Sequence, residues 1–206
     1  MRLLLVRHGQ SEGNASGVVQ GHLDFGLTTL GVRQAEATAK RLAGEPIARV
    51  LTSPLTRATA TAELIAASVG AAVEPEPGLR EYEIGHVSGL TATEIAERHP
   101  EIPAAYRRGE RPSFPGEEGR EVFYKRIATV LDRWRQSGES MVAVAHGGVV
   151  SALCYTALGL DHSRPGIFRV ANCSITEFSL ERGRLVLRRH NDVCHLDGIL
   201  TMEDIG

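Results

Sequence analysis

Two short apolar runs in this chain end in the same way. Leu3-Leu4-Leu5-Val6 runs into Arg7-His8-Gly9, and Met141-Val142-Ala143-Val144-Ala145 runs into His146-Gly147-Gly148. A continuous apolar run of this length reads as a strand buried on both faces, at home in a mostly parallel sheet flanked by helices. Each such strand delivers an imidazole at its C-terminal tip, the end of an open α/β sheet beyond which ligands sit. Ser11 and Asn14 follow His8 by three and six residues and add two short polar groups able to hydrogen-bond an anion.

Strand and helix signals alternate through the rest of the chain. Thr28 is placed to cap a helix running to about Leu42. Arg49-Val50-Leu51-Thr52 reads as a strand, and Ser53-Pro54 supplies a cap residue and a first-turn proline for the next helix. In that helix Leu55, Ala58, Ala62, Ile65, Ala66 and Val69 recur at helical spacing, with Arg57 at its start. Ala72-Val73-Glu74 reads as another short strand. Residues 75–120 hold six of the nine prolines and two helical patches, Thr91 to His99 and Ile102 to Arg108. That composition predicts an excursion over the active face, a lid or substrate wall within a single domain spanning residues 1–206. A helix from Glu118 to about Gln136 carries the stripe Val122, Phe123, Ile127, Val130, Leu131 and Trp134, and another runs from Val149 to Leu158. Ser174 to Leu180 and Leu185 to Arg189, joined by Glu181-Arg182-Gly183, read as a hairpin. The alternation predicts an α/β sandwich with a mostly parallel sheet and an antiparallel edge strand.

Composition narrows the partners. A chain of 206 residues with 42% hydrophobic content can bury a sizeable core, and no apolar stretch reaches the roughly 18 residues of a membrane span. Net charge is −2 with acids and bases mixed, which gives no electrostatic case for nucleic acid or a lipid surface. An anion site must therefore be local. Arginine supplies nearly all the positive charge, the lysines being Lys40 and Lys125 alone, so such a site would use planar, permanently charged donors. Cys154, Cys173 and Cys194 form no Cys-x-x-Cys pair, and Cys154 and Cys173 read as small core residues. The N-terminus enters a strand at once without a secretory cleavage site, so the expected location is cytoplasmic.

A phosphomonoester held at this sheet edge would find what it needs to react. A neutral imidazole can attack phosphorus to form a phosphohistidine that water then hydrolyses. Charge spreads over three equatorial oxygens in the transition state, so fixed positive donors are required. Arg7, Arg57 and His146 can supply them, assisted by Asn14, the backbone amides of Gln20-Gly21 and the helix start near Arg57. The leaving alkoxide needs a proton, and Glu81, at the start of the excursion, is the candidate acid. A bound phosphate dianion would raise its pKa and keep it protonated. His8 and His146 could instead be metal ligands, but no carboxylate-rich set stands beside either and Arg7 would repel a cation. Neither a metal nor a cofactor is expected.

The run Leu5-Val6-Arg7-His8-Gly9-Gln10-Ser11-Glu12-Gly13-Asn14 resembles the signature of the histidine phosphatase superfamily, the phosphoglycerate mutase-like proteins. The likeness continues in order through Gln20-Gly21, Leu27-Thr28-x-x-Gly31-x-x-Gln34-Ala35, Thr52-Ser53-Pro54-Leu55-x-Arg57-Ala58-x-x-Thr61-Ala62, Leu79-Arg80-Glu81 and Val144-Ala145-His146-Gly147-Gly148. The resemblance implies a three-layer α/β/α sandwich and chemistry without a metal. It makes His8 the phosphoryl carrier, Arg7, Arg57, His146 and Gly147 its binding groups, Asn14, Gln20 and Gly21 their support, and Glu81 the proton donor. It also leaves room for a homodimer.

Two stretches depart from the pattern. Gly85-His86-Val87-Ser88-Gly89 lacks the aromatic and acid frequent after the donor, and Gly116-Glu117-Glu118-Gly119 lacks the serine that often caps the long helix. These changes bear on substrate identity more than on chemistry. Asn191-Asp192-x-x-His195-Leu196 resembles a C-terminal segment of several phosphatase members, so His195 either folds back to the pocket or is a satisfied tail histidine. Mutase relatives carry a longer insertion between donor and second histidine, whereas Glu81 to His146 spans 65 residues here. The expectation is a phosphatase acting on a small phosphorylated metabolite; a cofactor-dependent phosphoglycerate mutase is the alternative, and a non-catalytic phosphate-binding module is a third reading. Glu83, His86, Arg107, Arg108 and Arg111 are the wall residues that could read the rest of the substrate.

Overall fold

Along the chain, the computed structural model, which describes residues 1–163 and 166–200, places β1 (Arg2–Arg7), α1 (Glu12–Ala15), α2 (Thr29–Leu42), β2 (Arg49–Thr52), α3 (Thr56–Val69), β3 (Val73–Pro75), α4 (Ala92–Arg98), α5 (Glu101–Arg107), α6 (Arg120–Ser137), β4 (Met141–Ala145), α7 (Gly147–Leu158), β5 (Ile175–Glu181) and β6 (Arg184–Asp192). The six strands form one sheet in the order β3-β2-β4-β1-β5-β6. The two apolar runs lie side by side at its centre, β1 parallel to β4 with Leu3 opposite Met141 and Arg7 opposite Ala145.

Side chains alternate faces along a strand, and both faces of these strands are covered. Leu3, Leu5, Ala143 and Ala145 pack into one core with Ile127, Leu131 and Trp134 of α6 and with Val150 and Leu153 of α7. Leu4, Val6, Val142 and Val144 point the other way, against Leu42 of α2 and Ala58, Ala62 and Ile65 of α3. The result is the three-layer α/β/α sandwich. Each fully buried leucine or isoleucine contributes about 1.5–3 kcal/mol, so these two cores stabilise the central strands from both faces. Among the described residues, no helix is long and apolar enough to cross a membrane.

Local signals placed most elements well and missed in particular places. Thr28 caps α2, its hydroxyl accepting from the Gly31 N–H at 3.0 Å. The hairpin forms, turning through Arg182 (φ 49°) and Gly183 (φ 79°), the pair of positive φ angles that suits the twist of adjacent strands. The antiparallel edge is present: β6 at the rim pairs antiparallel with β5, which itself runs antiparallel to β1. Ser53 does not cap α3. That helix starts at Thr56, and its first amide and hydroxyl are both taken by the Asp24 carboxylate, at 2.8 and 2.7 Å. Helix α6 begins after Gly119 without a side-chain cap, and Val122, placed in its apolar stripe by spacing, is 58% exposed. The excursion carries its own small core of Val87, Ile95 and Ile102, backed by Ile84 and Phe114.

Candidate active site

The strand register carries the site. Past the last ladder rungs, the His8 amide donates to the Ala145 carbonyl at 2.9 Å and the Ser53 amide to the Val144 carbonyl at 3.0 Å. His8, Ser53 and His146 therefore leave three adjacent parallel strands at the same C-terminal edge. Gly9 and Gly31 meet backbone to backbone: a Cβ on either would overlap the main chain of the other's turn, so α2 can back directly onto the turn bearing His8.

The two imidazoles pack edge to face, with ring centroids 5.1 Å apart. His8 is 3% exposed and its Nδ1 lies 2.7 Å from the Gly9 carbonyl. A carbonyl only accepts, so Nδ1 carries the proton and Nε2 keeps its lone pair. Burial, reinforced by the Arg57 and Arg7 charges, holds the His8 pKa well below the ordinary 6.5. The ring is a neutral imidazole with a bare Nε2.

His146 is completely buried, and its pKa is likewise pushed well down by burial and then by His8, Arg57 and Arg7. Its Nε2 lies 2.8 Å from the Ser53 hydroxyl. That hydroxyl already accepts, at 3.4 Å, from the Leu55 amide, which frees its own hydrogen for His146 Nε2. The remaining proton then belongs on Nδ1, a buried atom without a partner among the described residues. Arg57, 1% exposed, is pinned by the Leu23 and Gly21 carbonyls at 2.7 and 3.0 Å, while its Nε also lacks a partner. Two orphaned N–H donors beside a neutral imidazole mark a place built for an anion. Arg7 is anchored through the Val170 carbonyl at 2.6 Å.

Asn14 accepts on Oδ1 from the Ser11 amide and hydroxyl at 3.0 and 2.9 Å, which turns its amide nitrogen into the available donor. Ser11 itself is completely buried and spends its hydroxyl on Asn14 and on Gln20 Oε1, so it frames the loop rather than reaching an anion. The helix start near Arg57 is also not an anion site, since Asp24 occupies it. The start of α7 is better aimed: Gly147 lines the cavity and the Gly148 amide donates to Glu81 Oε2 at 3.1 Å. A Cβ at position 148 would overlap Glu81 Oε1. Glu81 Oε1 also accepts from the Tyr82 amide at 2.8 Å, and its backbone carbonyl is held by Arg126 and by His22 Nε2, each at 2.8 Å.

Arg7, His8, Asn14, Gln20, Gly21, Arg57, Glu81 and Gly147 thus line one cavity of about 740 Å³, with His146 packed against His8 beneath it. Of the wall residues named from sequence only Arg111 lines it; Arg108 pairs with Glu110, Glu83 with His22, and Arg107 and His86 face solvent. His195 does not fold back: its Nε2 meets Thr38 Oγ1 and the Cys173 carbonyl, both at 3.0 Å. Sequence reasoning missed Ser53 as a partner of His146. It also missed Asn172, buried with Nδ2 donating to the His8 carbonyl at 2.8 Å, and Arg126 and His22 as anchors of Glu81. None of these has a local signature. No cluster of three or more His, Cys, Asp or Glu that could hold a metal ion occurs among the described residues. What the cavity offers is cations and a neutral base, a donor set matched to an anion rather than to a divalent metal.

Comparison with known proteins agrees with this geometry. Phosphoserine phosphatase 1 of Hydrogenobacter thermophilus is 34% identical over 202 residues, 95% of this chain and 94% of that protein. Phosphoglycerate mutase-like protein 4 of Arabidopsis thaliana is 34% identical over 205 residues, 95% of this chain and 86% of that protein. A mycobacterial glucosyl-3-phosphoglycerate phosphatase, solved in complex with VO3, superposes with a TM-score of 0.84 at 31% identity, covering 92% of this chain and 98% of that one. The family model of the histidine phosphatase superfamily (branch 1) matches residues 3–193. With that match spanning both histidines, both arginines and Glu81, the chain belongs to the histidine phosphatase superfamily.

Proposed function

We propose that this chain is a phosphomonoester phosphatase acting on a small phosphorylated metabolite through a phosphohistidine on His8. The observation that carries the reading is the His8 ring, neutral by burial and by Arg57 and Arg7, with Nδ1–H tied to the Gly9 carbonyl and Nε2 left bare. The phosphoryl oxygens take the guanidiniums of Arg7 and Arg57, the Asn14 amide, the His146 Nδ1–H and the amide of Gly147, with the Gln20-Gly21 loop closing the rim. Nε2 attacks phosphorus as the ester P–O bond breaks, and the electron pair leaves on the alkoxide oxygen, which takes its proton from Glu81. Water then attacks the phosphohistidine and gives a proton back to the Glu81 carboxylate, while the P–N electron pair returns to Nε2. Ester and water become alcohol and phosphate. Charge is met throughout by guanidinium and N–H donors, so no metal has a part in the scheme.

The same reading treats residues 1–206 as one catalytic unit, with 75–120 as the wall over the alcohol, and places it in the cytoplasm. Rapid quenching with radiolabelled p-nitrophenyl phosphate tests it: acid-labile, base-stable label on the protein is expected, and none in His8→Ala, whose fold should be intact. A protein that binds phosphate yet never becomes labelled is a binding module. Phosphoglycerate and its bisphosphate primer, assayed beside phosphate release, separate hydrolysis from mutase transfer.

A further inference from the structure

The phosphate cradle occupies one end of the cavity only. Four phosphate oxygens, at about 30 Å³ each by the share water takes in the liquid, use roughly 120 Å³, a small part of about 740 Å³. The remainder is walled by apolar side chains from separate segments: Val19, Ile84, Ile95 of α4, Tyr106 of α5, Phe114 and Phe168. Several face it with surface still open, Tyr106 at 50% and Val19 at 37% exposure. Cations dominate the ionic content of the lining. Arg7, Arg57, Arg111 and Arg169 contribute cations, and the one carboxylate among the described lining residues is Glu81. Both Glu81 oxygens already accept backbone N–H groups, from Tyr82 and Gly148. An ammonium group, as on an amino-acid ester, would enter without a counter-charge and beside several guanidiniums. Arg111 stands 4.6 Å over the Tyr82 ring, so part of its charge is met by an aromatic face that continues the apolar wall.

Resting on the phosphatase reading above, we propose that the substrates are phosphomonoesters of bulky, largely apolar alcohols, aromatic or with an alkyl chain of several carbons, and not those of amino acids. The alcohol leaves water when it enters the chamber, and each methylene transferred raises kcat/KM about fourfold.

The test uses leaving groups that are all primary alkoxides, so that their reactivities match: ethyl, butyl, hexyl and 2-phenylethyl phosphate against O-phosphoserine and 3-phosphoglycerate. The expected result is a rise of about fourfold per methylene along the alkyl series. Hexyl and phenylethyl phosphates should exceed phosphoserine by at least about a hundredfold. Val19→Asp and Tyr106→Asp, at partly exposed positions that tolerate a charge, should draw the hexyl-to-ethyl ratio toward one. A flat alkyl series, or phosphoserine or 3-phosphoglycerate turned over as fast as hexyl phosphate, overturns the substrate class and leaves the phosphatase reading standing. No phosphate release from any ester, together with no label on His8, removes both.

Discussion

Replacing Ser53 by alanine deletes one hydroxyl and leaves the cationic groups of the cradle in place. In the parent that hydroxyl accepts from the Leu55 amide and donates to His146 Nε2 at 2.8 Å, inside a site where neither residue is exposed. Alanine leaves Nε2 without a partner in a place water does not reach, at a cost of about 1–3 kcal/mol. The ring can recover part of that by moving its proton to Nε2, which presents a lone pair to the phosphoryl oxygens where an N–H stood. At about 1.4 kcal/mol per factor of ten, kcat/KM should fall roughly tenfold to a hundredfold. Rapid-quench measurement of His8 labelling by p-nitrophenyl phosphate reads this directly, because the defect lies in transfer to Nε2 and not in release. A thermal melt run alongside should show a loss of about 2–12 °C, since a chain of this size shifts about 2–4 °C per kcal/mol. Ser53→Thr keeps the donor and should recover most of the labelling rate. If Ser53→Ala labels within twofold of the parent, the hydroxyl does not set the His146 tautomer and the argument from hydrogen-bond direction fails.

Three other outcomes follow from the same geometry. Gly148→Ala, favourable by helix propensity, should displace the Glu81 carboxylate and mimic Glu81→Gln: both slow alkyl phosphates at least about tenfold more than nitrophenyl phosphate, which leaves without a proton, and equal losses on both substrates would refute the donor assignment. Arg126→Ala removes the donors that hold the Gly78, Arg80 and Glu81 carbonyls, so kcat on alkyl phosphates should drop by about tenfold or more while nitrophenyl phosphate is largely spared; a change in KM alone would count against it. Burial, with neighbouring positive charge, keeps His8 and His146 from taking protons in the native state, whereas the unfolded chain binds them below about pH 6.5. Stability should therefore be full above that pH and decline as pH falls beneath it, read as a lower urea midpoint at pH 5.5 than at 7.5, with a shallower decline in His8→Asn; a midpoint that rises on acidification contradicts the sign.

Much of this site was legible from residue order because its chemistry hangs on strand ends. Apolar runs as plain as Leu3–Val6 and Met141–Ala145 leave little choice but central strands, and parallel pairing then brings His8 and His146 to one edge. What escaped is held by contacts between segments far apart in the chain. Asp24 caps a helix thirty-two residues away, so Ser53, a good cap by type, was free to serve His146. Ser11, a short polar group three residues after His8, reads as an anion ligand from sequence, but Asn14 and Gln20 claim its hydroxyl. Arg126 sits on a helix face indistinguishable from solvated charge until the turn at Glu81 folds against it. His195 found Thr38 and Cys173 first.

The shared rung of His8, Ser53 and His146 has a wider consequence. On the proposed mechanism, the groups that would meet phosphorus leave the paired central strands of the sheet. On the proposed reading, the surfaces that would meet the alcohol belong largely to the prolyl-rich insertion between β3 and α6, whose Leu79 and Tyr82 pack into the core beneath the sheet. On that reading, replacing the apolar wall residues of the insertion would retune which alcohol is accepted while Glu81 and the strand-end histidines stay in place, so selectivity could drift without loss of turnover.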